Sequence, residues 1–257
     1  MSAALVTLMA GMALLQNFLL YFPEPAPLAA VEQGGLQAWP DRNAFRGLRA
    51  EPAGEARGTV VVFHGNAGHA GQRGYYAQVL AGLGFRVILA EYPGYGPRPG
   101  ALGEQSLVTD AIETLRLAHQ AFGAPLILLG ESLGAAVAAG AAAQSPDRVA
   151  GLLLITPWDR LESVAGHHYA WLPVSWLMSD PYDSVRYLTS FQKPVVVVLA
   201  ERDSVVPVAS GLGLYQALPG PKRLVVVQGA DHNDWPARVE GVWWAEVLEF
   251  LVGKGAS

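Results

Sequence analysis

Continuous runs of apolar residues recur along the chain, and most of them are followed closely by glycine or a charged residue. Runs that do not alternate with polar residues are typical of parallel strands covered on both faces of a sheet. Segments with helical spacing of apolar residues lie between these runs. The predicted strands cover 59–63, 86–90, 125–129, 150–155, 194–199 and 223–227, and the predicted helices cover about 72–83, 104–121, 133–145, 208–217 and 239–253.

Alternation of strands and helices predicts an α/β fold with a mostly parallel, doubly wound central sheet. Two weaker apolar runs, about 31–39 and 45–50, precede the first strong strand and predict an antiparallel hairpin at its edge. With the hairpin included, we expect about eight strands flanked by helices.

Residues 2–22 carry no charge, and the first basic side chain is Arg42. A helix of about 20 such residues just spans the hydrocarbon core of a bilayer. We therefore predict an extra N-terminal apolar helix over 1–22 that anchors the protein to a membrane. Two alternatives stay open, a cleaved signal peptide and a helix packed on the globular body or on a second subunit. The stretch 23–27, rich in proline, is the only linker-like segment.

The composition excludes several classes of protein. The chain has 257 residues, of which 51% are apolar and 15% charged, so a large folded core is expected rather than disorder. It has no cysteine, which excludes disulfides, thiolate metal sites and a cysteine nucleophile. The net charge is −5 and the chain has no basic run, so we expect no nucleic-acid partner. No metal or dinucleotide motif is present, and we expect no cofactor.

One interval is too long for an ordinary strand–helix unit. About 38 residues separate the strand ending at Ile155 from the next one, and this stretch is rich in aromatic side chains. We predict a short helical cap insertion, about 158–190, that covers a pocket. Its candidate substrate-binding residues are Trp158, Tyr169, Trp171 and Trp176, which suit an apolar acyl group, although packing of the cap is the competing interpretation.

The strongest chemical signal follows the predicted strand 125–129. Gly130-Glu131-Ser132-Leu133-Gly134 is a G-x-S-x-G sequence between a strand and a helix, which is the context that this motif requires. The glycines permit a tight turn in which Ser132 projects as a nucleophile. The backbone N–H of Leu133 then faces the oxyanion that develops on the substrate.

A second glycine-rich loop, His64-Gly65-Asn66-Ala67-Gly68, follows the strand 59–63. Its backbone is the expected source of the other oxyanion-hole N–H, and Asn66 is the best candidate. We expect His64 to be structural, with its ring bonded to the backbone of the loop.

A serine nucleophile needs a base, and a carboxylate to orient that base. In proteins with this elbow the acid and then the histidine follow the serine in the chain. Three histidines follow the serine, namely His167, His168 and His232. The first two lie in the aromatic insertion, whereas His232 follows the last predicted strand and is the expected base. Asp203 follows the preceding strand and is the expected acid, with Glu201 and Asp159 as alternatives.

Taken together, these segments resemble the α/β-hydrolases, and in particular the small membrane-anchored ABHD-type serine hydrolases with an HGN-x-G loop. The resemblance covers about residues 20–252 and rests on LLYFPEP, FHGNAG, EYPGYG, GESLGAAVA, HHY…LPVSWL, PYDS, ERDSVVP and GADHND. It implies a catalytic domain over about 28–254, the triad Ser132, Asp203 and His232, and an oxyanion hole from the N–H groups of Asn66 and Leu133.

The resemblance also implies a substrate class. We expect cleavage of carboxylic esters, with short- to medium-chain acyl groups, through an acyl-enzyme. Acyl-thioesterase, lysophospholipase-like or amide and peptide hydrolase activity on the same triad is the alternative. A non-catalytic, membrane-tethered binding protein with a hydrolase fold is a further alternative. The expected partners are a small or lipid-like ester and, through residues 1–22, a membrane or a second copy of the chain.

Overall fold

A computed structural model describes residues 16–171 and 178–253, and its centre is an eight-stranded sheet. The strands of this sheet are β2 (Gln37–Trp39), β3 (Gly47–Ala50), β4 (Thr59–Phe63), β6 (Arg86–Ala90), β7 (Leu126–Glu131), β8 (Val149–Ile155), β9 (Val195–Ala200) and β10 (Lys222–Val227). Their order in the sheet is β10-β9-β8-β7-β4-β6-β3-β2, and the pairs from β10 to β6 are parallel. The predicted parallel α/β architecture is confirmed.

Helices cover both faces of the sheet. They are α1 (Leu28–Val31), α2 (Gly74–Gly82), α3 (Glu104–Phe122), α4 (Leu133–Gln144), α5 (Leu161–His168), α6 (Ser184–Leu188), α7 (Val208–Ala217) and α8 (Gly241–Val252). Alternate residues of β4 enter two separate cores. Val61 and Phe63 pack in the core that contains side chains of α3, α4 and α7, whereas Val60 and Val62 pack in the core formed with α2 and α8. Burial on both faces explains why the apolar runs do not alternate.

The edge hairpin is present but shorter than predicted. Strands β2 and β3 pair antiparallel, and β3 pairs antiparallel with β6. The first part of the predicted run 31–39 is not a strand, because the helix α1 extends to Val31 and a turn follows it. The carboxyl group of Glu32 accepts a hydrogen bond from the N–H of Ala38 and closes this turn.

The N-terminal segment differs from the prediction of an apolar helix through residue 22. Residues 16–20 are helical, but the chain then becomes extended, and β1 (Phe22–Pro23) pairs in parallel with β5 (Ala67–Gly68). Tyr21 directly follows the helical stretch, and its buried hydroxyl donates to Asp180 at 2.8 Å.

The predicted linker 23–27 is also held to the domain. The N–H of Glu24 donates to the carbonyl of Gly68, and the N–H of Ala26 donates to that of Gly96. Between residues 16 and 253, leaving out 172–177, no helix has the length and apolar character to cross a membrane. Residues 1–15 lie outside the described residues, and membrane association through residues 1–22 stays a prediction.

The predicted cap begins after β8. Its described part contains α5, and residues 178–183 lead into α6. Trp158 is buried, and its indole N–H donates to the carbonyl of Tyr182. Trp171 lies at the opposite extreme, with 79% of its surface exposed.

Candidate active site

The turn between β7 and α4 places Ser132 at the carboxyl edge of the sheet. Ser132 has φ 54° and ψ −115°, a backbone conformation that side-chain-bearing residues seldom adopt. A Cβ at Gly130 would overlap the carbonyl oxygen of Gly134, and a Cβ at Gly134 would overlap that of Phe63. The predicted need for glycine on both sides of the serine is therefore confirmed.

We expect Gly134→Ala to lower the free energy of unfolding by about 3 kcal/mol, because the added methyl group must displace the backbone of β4. Urea denaturation measures the change. Gly82→Ala is the matched control, since Gly82 also lies in a helix but an added Cβ there meets no atom within 4 Å. The free energy of unfolding of the control variant is expected to equal that of the wild type or to exceed it by up to about 1 kcal/mol. Equal stability of the two variants would contradict the crowding at Gly134.

The structure brings the three predicted side chains together. The Nε2 atom of His232 lies 3.0 Å from the Oγ of Ser132. The Nδ1 atom of the same ring lies 2.8 Å from the Oδ2 of Asp203. These residues follow β7, β9 and β10, whose carboxyl ends meet at one edge of the sheet. All three side chains are largely buried, so a polar atom here depends on its protein partners.

Backbone N–H groups fix the carboxyl group of Asp203. Its Oδ1 accepts hydrogen bonds from the N–H groups of Val205 at 2.9 Å and Val206 at 2.7 Å. Since Nδ1 of His232 donates to this carboxyl group, Nε2 of the neutral ring is left as the acceptor that faces the serine hydroxyl. This is the tautomer that a base for Ser132 requires.

Asp231 braces the loop that carries His232. It accepts hydrogen bonds from the N–H and the hydroxyl of Ser204, both at 2.8 Å, and from the N–H of His232 at 2.7 Å. The N–H donors of Ser204 and His232 lower the pKa of Asp231, so its ionised form persists to lower pH than usual. Asp231 thereby ties the acid-bearing loop to the base-bearing loop.

The alternative candidates for the acid and the base are occupied elsewhere. Asp159 accepts the hydroxyl of Ser210, and Glu201 accepts the N–H of Gly229 at 2.6 Å. His168 bonds through Nε2 to the carbonyl of Val205. Among the described residues, none of these side chains forms a hydrogen bond with Ser132 or His232.

The loop after β4 lies beside the serine. Among the described residues, no acceptor receives the N–H of Asn66 or that of Leu133. The carbonyl of Gly65, which belongs to the same peptide group as the Asn66 N–H, accepts Nδ1 of His64 at 2.7 Å. Because C=O and N–H point in opposite directions in a trans peptide, this bond sets the direction of the Asn66 N–H.

His64 has a partner that the sequence analysis did not identify. Its Nε2 lies 3.0 Å from the Oε1 of Glu91, and both side chains are almost completely buried. The other carboxylate oxygen of Glu91 accepts the N–H of Ala70 at 3.0 Å. The expected contact of His64 with the loop backbone is present, and Glu91 holds the ring in place from the other side.

A cavity of about 670 Å³ opens over Ser132. The predicted substrate-binding residues Trp158, Tyr169 and Trp171 line it, together with Leu161 and Val164 of α5. Trp176 lies outside the described residues. Within the described parts of the chain, no three His, Asp or Glu side chains cluster closely enough to hold a metal ion.

The sequence analysis missed the contribution of the N-terminal segment to this cavity. Gln16, Leu19, Leu20 and Phe22 line its wall. The carbonyl of Leu20 accepts the side-chain amide of Asn66 at 3.1 Å, and the N–H of Phe22 donates to the carbonyl of Asn66 at 2.9 Å. The segment therefore holds the loop that carries the predicted oxyanion donor.

Comparison with known proteins identifies the family of the chain. The pattern of the family described as "Serine aminopeptidase, S33" (Hydrolase_4) matches residues 54–187, about half of the chain, including the serine turn. The chain belongs to this family of α/β-hydrolases. Asp203 and His232 lie beyond the matched part.

Relatives of this hydrolase match different fractions of its length. The uncharacterized protein Rv2307c of Mycobacterium tuberculosis is 38% identical over 237 residues, which cover 88% of this chain and 83% of the relative. Lysophosphatidylserine lipase ABHD12 of Danio rerio is 30% identical over 184 residues, which cover 64% of this chain and 48% of the lipase.

Solved structures show the same fold at lower identity. The monoacylglycerol lipase of Paleococcus ferrophilus has a TM-score of 0.61 at 22% identity and covers 81% of this chain and 98% of the lipase. Est1E of Butyrivibrio proteoclasticus, solved with ferulic acid, has a TM-score of 0.64 at 17% identity and covers 80% of this chain and 94% of Est1E.

Proposed function

We propose that this hydrolase cleaves carboxylic esters through an acyl-enzyme on Ser132, with His232 as the base and Asp203 as the acid of the triad. The observation that carries the proposal is the hydrogen-bonded chain from Ser132 Oγ through both ring nitrogens of His232 to the carboxyl group of Asp203, with distances of 3.0 and 2.8 Å. A serine hydroxyl becomes a competent nucleophile when such a base takes its proton.

The reaction proceeds in two halves. Ser132 Oγ attacks the acyl carbon while its proton passes to Nε2 of His232, and the N–H groups of Asn66 and Leu133 bind the oxyanion. The C–O bond then breaks, and the leaving alcohol takes the proton from His232. Water attacks the acyl-enzyme, gives its proton to His232 and releases the acid, and the proton returns to Ser132.

The lining of the cavity supports an apolar acyl group. Leucine, valine and aromatic side chains of the cap face Ser132 across the cavity, which favours short- to medium-chain esters. The names of two comparison proteins, a lysophosphatidylserine lipase and a monoacylglycerol lipase, support lipid-like esters as one form of this substrate. The family description, serine aminopeptidase, favours amide cleavage as the second candidate.

A fluorophosphonate probe tests the nucleophile directly. We expect a covalent adduct on Ser132, with loss of fluoride, because the probe places a phosphorus atom where the acyl carbon reacts. Intact mass and peptide mapping locate the adduct, and Ser145 at the other end of α4 is the internal control that stays unlabelled. Failure to label, or labelling at another serine, would overturn the assignment. Rates with p-nitrophenyl butyrate and alanine p-nitroanilide then decide between ester and amide cleavage.

A further inference from the structure

Charge is confined to one part of the cavity. Of the described residues that line it, only Arg73 and Glu131 carry a full charge at neutral pH, histidines aside. The contribution of the cap is mainly apolar, from Trp158, Leu161 and Val164. The cavity therefore has an apolar cap side and a charged side on the loops of the sheet.

Glu131 is bonded to its own protein partners. Its Oε2 accepts the hydroxyl of Tyr76 at 2.7 Å and that of Tyr75 at 3.4 Å. Burial raises the pKa of Tyr76 well above its usual range, and the negative charge of Glu131 adds to the effect, so Tyr76 stays a donor. The carboxylate is thus partly satisfied without Arg73.

Arg73 keeps donors that the described part of the protein does not use. Its Nη2 donates to the carbonyl of Ala67 at 3.1 Å. No carboxylate lies within ion-pair distance among the described residues, and the buried Nε has no acceptor there. A guanidinium group with free donors at the wall of a cavity matches the oxygens of a carboxylate or phosphate.

The position of Arg73 relates it to the leaving alcohol. It directly precedes α2, whose Tyr76 bonds to Glu131 beside the nucleophile. The ring of Tyr76 also lies 6.3 Å from that of Trp235, three residues beyond His232. The start of α2 is therefore packed against the loop of the histidine, which gives its proton to the leaving oxygen.

We propose that Arg73 binds an anionic group on the alcohol part of the ester and selects for such substrates. This inference rests on the ester-hydrolase function proposed above and extends it to a substrate class, esters whose alcohol carries a carboxylate or a phosphate. The apolar cap takes the acyl chain, and the guanidinium group takes the charge at the other side of Ser132.

Matched pairs of esters test the inference. The first pair is phenyl butyrate and 3-(butyryloxy)benzoate, and the second is 1-decanoylglycerol and 1-decanoylglycerol 3-phosphate. The measured quantity is the ratio of kcat/KM for the anionic ester to kcat/KM for its neutral partner. In the wild-type protein we expect this ratio to exceed one for at least one pair, and the pair that shows it identifies carboxylate or phosphate as the preferred anion.

In Arg73→Gln we expect the ratio to fall roughly 10- to 100-fold, the range that the loss of a charged hydrogen bond gives. Arg73→Lys should retain part of the preference, because it keeps the charge and loses the planar fork. Arg57→Gln is the matched control. Arg57 also donates to a backbone carbonyl, that of Leu83, but it lies outside the cavity lining. The Arg57→Gln variant should therefore keep the wild-type ratio of kcat/KM values.

The possible failures are distinguishable. If the wild-type protein reacts with the fluorophosphonate and cleaves both members of each pair at equal kcat/KM, the role of Arg73 is wrong and the ester-hydrolase function stands. The wild-type ratio decides this point even if the Arg73 variants fail to fold. If the wild-type protein neither reacts with the probe nor cleaves any of the four esters, both proposals are wrong.

Discussion

Ser132→Ala is expected to lower kcat for p-nitrophenyl butyrate by about 10⁶-fold, the loss that removal of a triad serine causes in enzymes of this chemistry. The variant keeps the oxyanion donors and the cavity but has no atom that can form the acyl-enzyme. Alanine also fits the turn, because the side chain of Ser132 lies in the cavity wall rather than between packed elements. Thermal unfolding should therefore change little while turnover disappears.

Ser145→Ala provides the matched control. Ser145 is buried at the C-terminal end of the helix that Ser132 precedes, and its hydroxyl has no hydrogen-bond partner among the described residues. This variant should keep the wild-type kcat. If Ser132→Ala retained more than about one tenth of the wild-type kcat, Ser132 would not be the nucleophile.

The central sheet could be predicted from the sequence because its strands are buried on both faces. Continuous runs such as 59–63 and 194–199 have few other uses in a domain of this size. Because helices alternate with these runs, the strands are parallel and their carboxyl ends lie at one edge of the sheet. Ser132, Asp203 and His232 lie three, four and five residues after the end of such a run. The same physical fact, that polar loops follow the carboxyl ends of parallel strands, made both the sheet and the candidate site predictable.

The N-terminal segment could not be read in the same way. An uncharged stretch predicts only that it avoids water, and a bilayer, a partner and the protein itself all satisfy this requirement. For residues 16–21, hydrogen bonds to residues far away in the sequence fix the position on the domain. Gln16 accepts the N–H and hydroxyl of Ser179, and Tyr21 bonds to Asp180 and Tyr182. Residues about 160 positions apart leave no periodic signal.

The pair formed by His64 and Glu91 escaped prediction for a related reason. Each residue sits in a short motif whose local role is plausible alone, one in the loop after β4 and the other directly after β6. Only the parallel pairing of these strands, with Phe63 opposite Ala90, brings the imidazole and the carboxylate together. The missing information was therefore the order of the strands in the sheet, because only the adjacency of β4 and β6 there indicates this pair.

Asp203→Asn is expected to lower kcat for p-nitrophenyl butyrate by about 10⁴-fold while leaving the fold intact. The asparagine oxygen can still accept the N–H groups of Val205 and Val206. Its amide group, however, then donates toward Nδ1 of His232 and favours the tautomer with the proton on Nε2. That ring cannot accept the proton of Ser132, and no negative charge stabilises the imidazolium that forms during attack.

Glu201→Gln separates this effect from a general loss of negative charge at the end of β9. Glu201 lies two residues from Asp203, and its carboxylate accepts the N–H of Gly229 rather than a proton of His232. The glutamine oxygen can keep that bond, so we expect a kcat within about twofold of wild type, since a surface charge outside the triad changes it little. Steady-state kinetics at pH 7 compare the two variants. A similar loss of kcat in both variants would mean that the charge of the loop matters rather than the orientation of His232. A loss of kcat confined to Asp203→Asn ties the effect to the hydrogen bond at Nδ1.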